Sequence, residues 1–375
     1  MKIAILGAGM IGRAIAADLA TEHEVTCIDV NNLNLSTVKE KNSNIQTIQK
    51  DLKDFYHYSK MLEPFDIVVT AVPGFMGFDT LKAVINAGKN VVDISFFSED
   101  VLQLNELAKQ KNITVITDCG LAPGMSNFII GRYNNEVQID AFEIYVGGLP
   151  KVRKKPFEYK ASFSPVDVIE EYIRPARIME NGFIVTKPAL SERVWMHFDG
   201  LGTLDAFNTD GLRSLLYTMP HIKNQTEKTL RYPGHVDLII ALKESGFFST
   251  KTFVVGGAQI SPLEFSSKIL FDEWKLGPEE EDITLLTVIL HAMAEGKKKT
   301  IEYSVIDRYD AATKTSSMSR TTGYTCTAAV NLIAKNMFAE KGIFPPELVG
   351  NNKECFDFVI NYLRDRNVQW MKKEY

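Results

Sequence analysis

Gly7, Gly9 and Gly12 stand in the run Gly7-Ala8-Gly9-Met10-Ile11-Gly12, directly after the apolar stretch Lys2-Ile3-Ala4-Ile5-Leu6 and directly before Arg13-Ala14-Ile15-Ala16-Ala17-Asp18-Leu19-Ala20. A strand, G-x-G-x-x-G and a helix in that order make a cradle for a pyrophosphate. Gly7 allows the tight turn, Gly9 lets phosphates approach the backbone beside Met10 and Ile11, and Gly12 lets the helix lie close to the strand. The phosphates then rest on the unpaired N–H groups at the positive end of the helix. A second strand, Glu24-Val25-Thr26-Cys27-Ile28-Asp29-Val30, ends in an acid, roughly 20 residues beyond the glycines, where a carboxylate accepts from ribose hydroxyls. Asp29 would repel a 2′-phosphate, and no Arg follows it in Val30-Asn31-Asn32. The expected cofactor is therefore NAD rather than NADP.

The elements that must hold this cradle keep the same rhythm. Residues 45–48 read as a third strand, 66–73 as a fourth, 90–95 as a fifth and 114–118 as a sixth. Helical stretches over 55–62, 78–87 and 101–110 lie between them. Continuous β-branched runs alternating with amphipathic helices predict a parallel sheet covered on both faces, with ligands beyond the carboxyl ends of its strands. Three loops fall on that edge: Ala71-Val72-Pro73-Gly74, Asp93-Ile94-Ser95-Phe96 and Asp118-Cys119-Gly120-Leu121-Ala122-Pro123-Gly124. From them Ala71, Val72, Pro73, Asp93, Ser95, Gly120 and Leu121 are expected along the cofactor.

Composition narrows the remaining classes. The chain has 375 residues, a net charge of −5 and 24% charged residues, which suits a globular protein of two domains. A nucleic-acid partner would need a basic face, which is not apparent. The clusters Lys151, Arg153, Lys154, Lys155 and Lys297-Lys298-Lys299 read as solvated loops. No apolar run is long enough to span a bilayer, and the apolar N-terminus is consumed by the glycine loop rather than forming a signal peptide. Cys27, Cys119, Cys326 and Cys355 show no metal-binding spacing, so neither zinc nor disulfides are expected and a cytoplasmic setting fits.

Beyond residue 136 the pattern changes. Asp140-Ala141-Phe142-Glu143-Ile144-Tyr145-Val146 alternates, and short polar–apolar segments follow at 158–163, 183–186 and 193–198. A helix is expected over 236–244, after Pro233-Gly234-His235. Residues 283–292 and 300–308, joined through Glu295-Gly296-Lys297, read as a hairpin. Residues 123–322 thus form a second α/β domain on a mainly antiparallel or mixed sheet, whose exposed face suits a dimer. Helical spacing returns over 325–340, with Gly342 as its stop, and again over 355–363. These last helices either pack back onto the first domain, making it 1–122 and 323–375, or finish the second.

The cofactor-side runs, together with Tyr145-Val146-Gly147-Gly148-Leu149-Pro150, Tyr159-Lys160-Ala161-Ser162-Phe163-Ser164, Ala206-Phe207-Asn208-Thr209-Asp210-Gly211-Leu212, Glu227-Lys228-Thr229-Leu230-Arg231-Tyr232-Pro233-Gly234-His235 and Gly342-Ile343-Phe344-Pro345-Pro346-Glu347, resemble the saccharopine dehydrogenase superfamily. The resemblance covers nearly the whole chain and is strongest to the lysine 6-dehydrogenase branch. It implies NAD-linked oxidative deamination at the ε-carbon of L-lysine, giving α-aminoadipate semialdehyde that cyclises to a piperideine carboxylate. It also implies a homodimer. Two departures from the saccharopine-forming pattern stand out: Ala122 occupies the place of an Asp, and Thr209 that of an Arg. Losing an Arg suits a substrate smaller than saccharopine. The alternatives are a saccharopine- or carboxynorspermidine-type reductase, or a non-catalytic NAD-binding protein.

Such chemistry needs a neutral amine, and an ε-ammonium has a pKa near 10.4, so the site must take up a proton or depress that value. His235, Lys160 and Lys228 are the candidates within the resembling motifs. His235 is the natural acceptor by its ordinary pKa, with a structural hydrogen bond at a helix start as the equal alternative. The α-carboxylate calls for a guanidinium fork, Arg231 first and Arg213 second. Asp210 could take the α-ammonium or serve a turn. Asp118 and Asp93 could orient the amine or cap the following helix. Phe96, Phe97, Tyr145 and Phe163 could wall the methylene chain.

Overall fold

The β-branched runs of the first third lie side by side in a parallel sheet. In the computed structural model, which describes residues 1–161, 165–277 and 280–375 without the side chains of Pro165 and Val166, they form β1 (Lys2–Leu6), β2 (Glu24–Asp29), β3 (Gln46–Gln49), β4 (Ile67–Thr70), β5 (Asn90–Asp93) and β6 (Thr114–Ile116). Ile5 stands opposite Cys27 on one side and Val69 on the other. Ile3, Ala4, Ile5 and Leu6 are all fully buried, because helices cover both faces. Leu81, Val84 and Ile85 of the helix Gly74–Asn86 pack on Ala4, Leu6 and Val68. Ile15 and Ala16 of the helix Met10–Leu19 pack on Ile3, Ile5 and Val69 from the opposite face.

The second half builds a nine-stranded mixed sheet. Its strands are β7 (Gln138–Pro150), β8 (Ala176–Glu180), β9 (Phe183–Lys187), β10 (Val194–Phe198), β11 (Gly202–Asn208) and β12 (Asn224–Arg231), then, past a small hairpin of β13 (Phe253–Val255) and β14 (Ala258–Ile260), β15 (Asp282–Ala294) and β16 (Lys297–Arg308). Later in the chain come β17 (Gly342–Phe344) and β18 (Met371–Glu374). The spatial order is β10-β11-β12-β7-β15-β16-β18, with β8 on β12 and β9 on β8. β12 and β7 pair in parallel and the rest antiparallel. The expected hairpin is present and longer than its pattern, turning at Glu295-Gly296, both with positive φ.

The C-terminal region departs from the periodicity in two ways. Its first helix runs over Ser317–Ala334, not 325–340, and starts where the Ser316 side chain accepts from the Ser319 backbone N–H. The first two turns, Ser317-Met318-Ser319-Arg320-Thr321-Thr322, carry no apolar stripe because they are buried by both halves of the molecule at once. The expected boundary at 322/323 falls inside this helix. Gly342 does not act as a helix stop; it opens β17, which joins β6 in parallel with Gly342 opposite Thr114. β17 is therefore part of the first sheet, whereas the last strand, β18, pairs with β16 in the second. Between them, Asp18 of the first domain accepts from Arg366 Nε at 2.6 Å and the Tyr362 hydroxyl at 2.7 Å. Residues 158–161 form no strand; Ala161 makes a single bridge to Lys275. Phe163, offered as an aromatic wall, lies outside the described residues. Among the described residues, no helix is long and apolar enough to cross a membrane.

Candidate functional site

The carboxyl edge of the first sheet faces the second sheet across a cleft of about 1140 Å³. Small-molecule pockets span roughly 300–1,000 Å³, so this one has room for a long bipartite ligand. One end is lined by Gly7, Gly9, Met10, Ile11, Gly12, Asp29, Ala71, Val72 and Pro73, and the middle by Gly120, Leu121 and Ala122. A Cβ at Gly12 would lie 2.1 Å from the Gly7 carbonyl, and one at Gly7 would lie 2.3 Å from that of Ala71. A Cβ at Gly9 would meet nothing within 4 Å. Gly9 also caps the helix Met10–Leu19 without any side-chain hydrogen bond. The first-turn N–H groups thus face open space, and the residues present fit a dinucleotide pyrophosphate.

Asp29 lies at that end, buried to 8% exposure. Its Oδ2 accepts the Ala8 N–H at 2.7 Å and its Oδ1 that of Asn31 at 2.7 Å, which holds the carboxylate beside the glycine loop. The same end also carries Arg13 and Lys41, brought there by two helices. Inspection of the residues following Asp29 could not see these cations.

Asp93 and Ser95 are corrections. Among the described residues neither lines the cleft; Ile94 and Phe96 do. An extended segment alternates its side chains, so once Ile94 faces the cleft its neighbours face inward. Asp93 is fully buried, accepts from the Thr70 hydroxyl and the Ser95 N–H, and is pushed up to about 7 by burial.

The expected proton acceptors are corrected as well. His235 is 2% exposed and stands behind the cleft wall. Its Nδ1 lies 3.0 Å from the Phe157 carbonyl and must donate to it, leaving Nε2 to accept from the Tyr172 hydroxyl at 3.0 Å. Burial, with Arg231 nearby, pushes it down to about 3, so it is a neutral structural imidazole. Lys160 Nζ donates to the Glu273 carbonyl at 2.6 Å, and Lys228 Nζ to Asn208 Oδ1 at 2.8 Å. The Tyr145 hydroxyl donates to Glu143. Among the described residues His235, Lys160, Lys228, Tyr145 and Phe97 do not line the cleft, whereas Asp118 does. Arg213, the second choice for the carboxylate, is spent on Asp118: Nε donates to Oδ1 at 2.9 Å, and another nitrogen donates to the Phe97 carbonyl.

One measurable consequence concerns stability. An unfolded His binds a proton near pH 6.5 and the buried one near pH 3, so below pH 6.5 the unfolded state gains protons that the folded state cannot. Stability from this group is complete above about pH 6.5 and is lost as pH falls toward 3. The stability difference between the wild type and His235→Leu should therefore shrink, by on the order of 3–5 kcal/mol, between pH 7 and pH 3.5. Urea midpoints across that range check it; a pH-independent difference would contradict the neutral assignment.

The substrate end is built on one face of β12. Glu227, Thr229 and Arg231 stand two residues apart and all line the cleft, as the period of a strand requires. Thr209, from the end of β11, donates to Glu227 Oε2 at 2.7 Å and lies 2.8 Å from the Thr229 hydroxyl. Gly211 makes room for this acid, since a Cβ there would sit 2.5 Å from Glu227 Cδ. Burial pushes Glu227 up to about 8, assisted by Glu171 and Asp210. Arg231 donates from Nε to the Tyr172 hydroxyl at 3.0 Å, from Nη1 to the Leu230 carbonyl at 3.0 Å and from Nη2 to Glu171 Oε2 at 3.3 Å. Asp210 lines the cleft with its carboxylate gripped by Arg177 through two bonds of 2.8 and 2.9 Å, so it is already neutralised as an ammonium partner.

Glu227, Glu171, Arg174 and Arg13 are cleft residues that the sequence reading passed over. Glu227 had a signal, the polar set at 227, 229 and 231 in alternation. Glu171 and Arg174 had none, because their role depends on where the helix Pro165–Ile173 lands. Among the described residues, no group of three or more His, Cys, Asp or Glu side chains is placed to hold a metal ion.

A parallel Rossmann-type sheet with a glycine cradle, set against a mixed sheet across a long cleft, defines a two-domain α/β protein whose cradle fits a dinucleotide. Two family descriptions divide the chain the same way: the Saccharopine dehydrogenase NADP binding domain matches residues 3–116, and the Saccharopine dehydrogenase C-terminal domain matches residues 120–368. The chain belongs to the saccharopine dehydrogenase family. It is 26% identical over 263 residues to saccharopine dehydrogenase [NADP(+), L-glutamate-forming] of Pyricularia oryzae, covering 66% of this chain and 58% of that one. It is 26% identical over 235 residues to α-aminoadipic semialdehyde synthase of Arabidopsis thaliana, covering 56% of this chain and 21% of that one. The chain therefore spans less than two thirds of these relatives. The apo L-Glu-forming saccharopine dehydrogenase structure from Saccharomyces cerevisiae has the same fold, with a TM-score of 0.81 at 20% identity over 100% of this chain and 99% of that one.

Proposed function

We propose that the protein oxidises the ε-amine of L-lysine, or of a diamino acid of that size, yielding α-aminoadipate semialdehyde and ammonia. The charge of the cleft wall carries this reading. On the second-sheet side, with Asp210 spent on Arg177 and Glu227 raised to about 8, the acids Asp167, Glu170, Glu171, Asp272 and Glu280 face Arg174, Arg231, Lys275 and Lys314. Such a wall suits a substrate with two ammonium groups and one carboxylate better than saccharopine, whose glutamate portion adds two further carboxylates. A bound nicotinamide would supply the acceptor for the hydride that leaves the ε-carbon. Arg231 holds the α-carboxylate, and Glu227 takes the proton of the ε-ammonium. Its raised pKa brings it closer to that of the amine than an ordinary carboxylate would be, which lowers the uphill cost of the transfer. The imine then adds water and loses ammonia, and the aldehyde closes on the α-amine.

Asp29 supports NAD as the partner, through the ribose hydroxyls. A second reading, an NADP-linked saccharopine-type reductase, is favoured by Arg13 and Lys41 beside Asp29 and by the names of the relatives. Absorbance of reduced cofactor separates the two. Turnover of lysine with NAD supports the first, and turnover of saccharopine with NADP supports the second. Asp29→Ala should weaken NADH about tenfold while NADPH binding holds or improves. Fluorescence titration of both reduced cofactors checks this, and an unchanged preference would remove Asp29 from the argument. The same reading gives a homodimer through the second sheet, where β10 with Trp195 is an open edge. Sedimentation of the full chain tests that assembly.

A further inference from the structure

The guanidinium of Arg231 is held on all but one side. Nε and one terminal nitrogen donate to the Tyr172 hydroxyl and the Leu230 carbonyl. The Tyr159 ring lies against its face, 4.6 Å from Cζ to the ring centre. The remaining terminal nitrogen meets Glu171 Oε2 at 3.3 Å. Both side chains line the cleft, Arg231 at 4% exposure and Glu171 at 19%. The edge that an incoming carboxylate would use is thus covered by a carboxylate of the chain itself.

We propose that Glu171 is a built-in competitor for Arg231, displaced by the substrate's α-carboxylate and then left to pair with its α-ammonium. This rests on the amino-acid reading of the cleft given above. The exchange trades one carboxylate–guanidinium pair for another, and a zwitterion alone leaves every charge partnered afterwards. A carboxylate without an amine strands Glu171, and such a stranded charge in a partly buried site is costly. The groups facing Glu171 sharpen that cost: Glu227 on β12 and Asp167 on its own helix are acidic, with Arg174 as the nearer cation besides Arg231. Burial already pushes Glu171 up to about 7 even with Arg231 in place, so above that pH a stranded Glu171 must either stay charged at this cost or take up a proton against the solution. Glu171 therefore selects α-amino acids against simple acids of the same length.

Two probes that cannot be oxidised at the ε-position read this directly by calorimetry on the full chain: hexanoate, with a carboxylate alone, and L-norleucine, with the carboxylate and the α-ammonium. Glu171→Gln keeps an oxygen that can accept from Arg231, and Glu171→Ala provides a second variant. Both should bind hexanoate about tenfold more tightly than the wild type and norleucine about tenfold more weakly. A residue of merely structural importance would move both probes in the same direction. Parallel shifts, unchanged affinities, or no binding of either probe to any of the three proteins would overturn the exchange. Lysine turnover by the unaltered chain is measured separately. Turnover without opposite shifts keeps the function and discards the exchange, and opposite shifts without turnover keep the exchange and redirect the search to another amino acid.

Discussion

Replacing Glu227 by glutamine should leave the protein folded and lower kcat by a factor of about 10² to 10⁴, the range supplied by a positioned proton acceptor. The amide can still accept from Thr209, so the 2.7 Å bond and the packing against Gly211 persist. It cannot take a proton from an ammonium. The wild-type rate should rise with pH through the titration of the acid in the substrate complex, and the variant should lack that limb. A stability measurement separates this from damage. A carboxyl whose folded pKa is raised to about 8 from 4.5 contributes stability that is complete below pH 4.5 and lost as pH rises toward 8. Glutamine does not titrate, so the variant's stability relative to the wild type should improve between pH 5 and pH 8, by on the order of a few kcal/mol. Full activity in Glu227→Gln would leave the proton step without a residue. An unimproved stability at pH 8 would mean that the acid is not isolated from water as its surroundings indicate. Such a group, destabilising at the pH where it works, is what a site exchanging stability for reactivity looks like.

Arg231→Ala should raise the KM for lysine by about tenfold to a hundredfold or more, the value of a charge-assisted pair at roughly 1.5–3 kcal/mol, with a smaller change in kcat. The comparison that isolates the carboxylate is 1,5-diaminopentane, which lacks it and should respond little. Arg231 also supports its surroundings, since it donates to Tyr172, which in turn donates to His235. Arg231→Lys therefore belongs beside the alanine variant: it keeps a charge but loses the fork, and it should fall between the two. A normal lysine KM in Arg231→Ala would remove the carboxylate assignment, and Arg174 would be the next residue to examine.

The glycine end of the cleft was legible because it depends on local order. A strand, three glycines and a helix can only stack as they do, and the chain from Gly7 to Asp29 needs no distant partner to place its backbone. β1, β2 and β4 to β6 were legible for a similar reason, since strands buried on both faces write apolar runs. The other half was not. His235 has the pKa of a proton acceptor in isolation, but the residues that surround it come from 157, 172 and 231, and their convergence buries it and removes that use. Arg213 and Asp210 carried the right charges, yet tertiary structure had already joined them to Asp118 and Arg177. β17 was hidden in three residues whose only reason to extend is the open edge of β6, more than two hundred residues away. Sequence by itself determined which residues repeat with the period of an element and which backbone segments could cradle a phosphate. Tertiary structure alone decided which charges remain available, because desolvation and ion pairing are properties of neighbours in space and leave no mark on the order of residues in the chain.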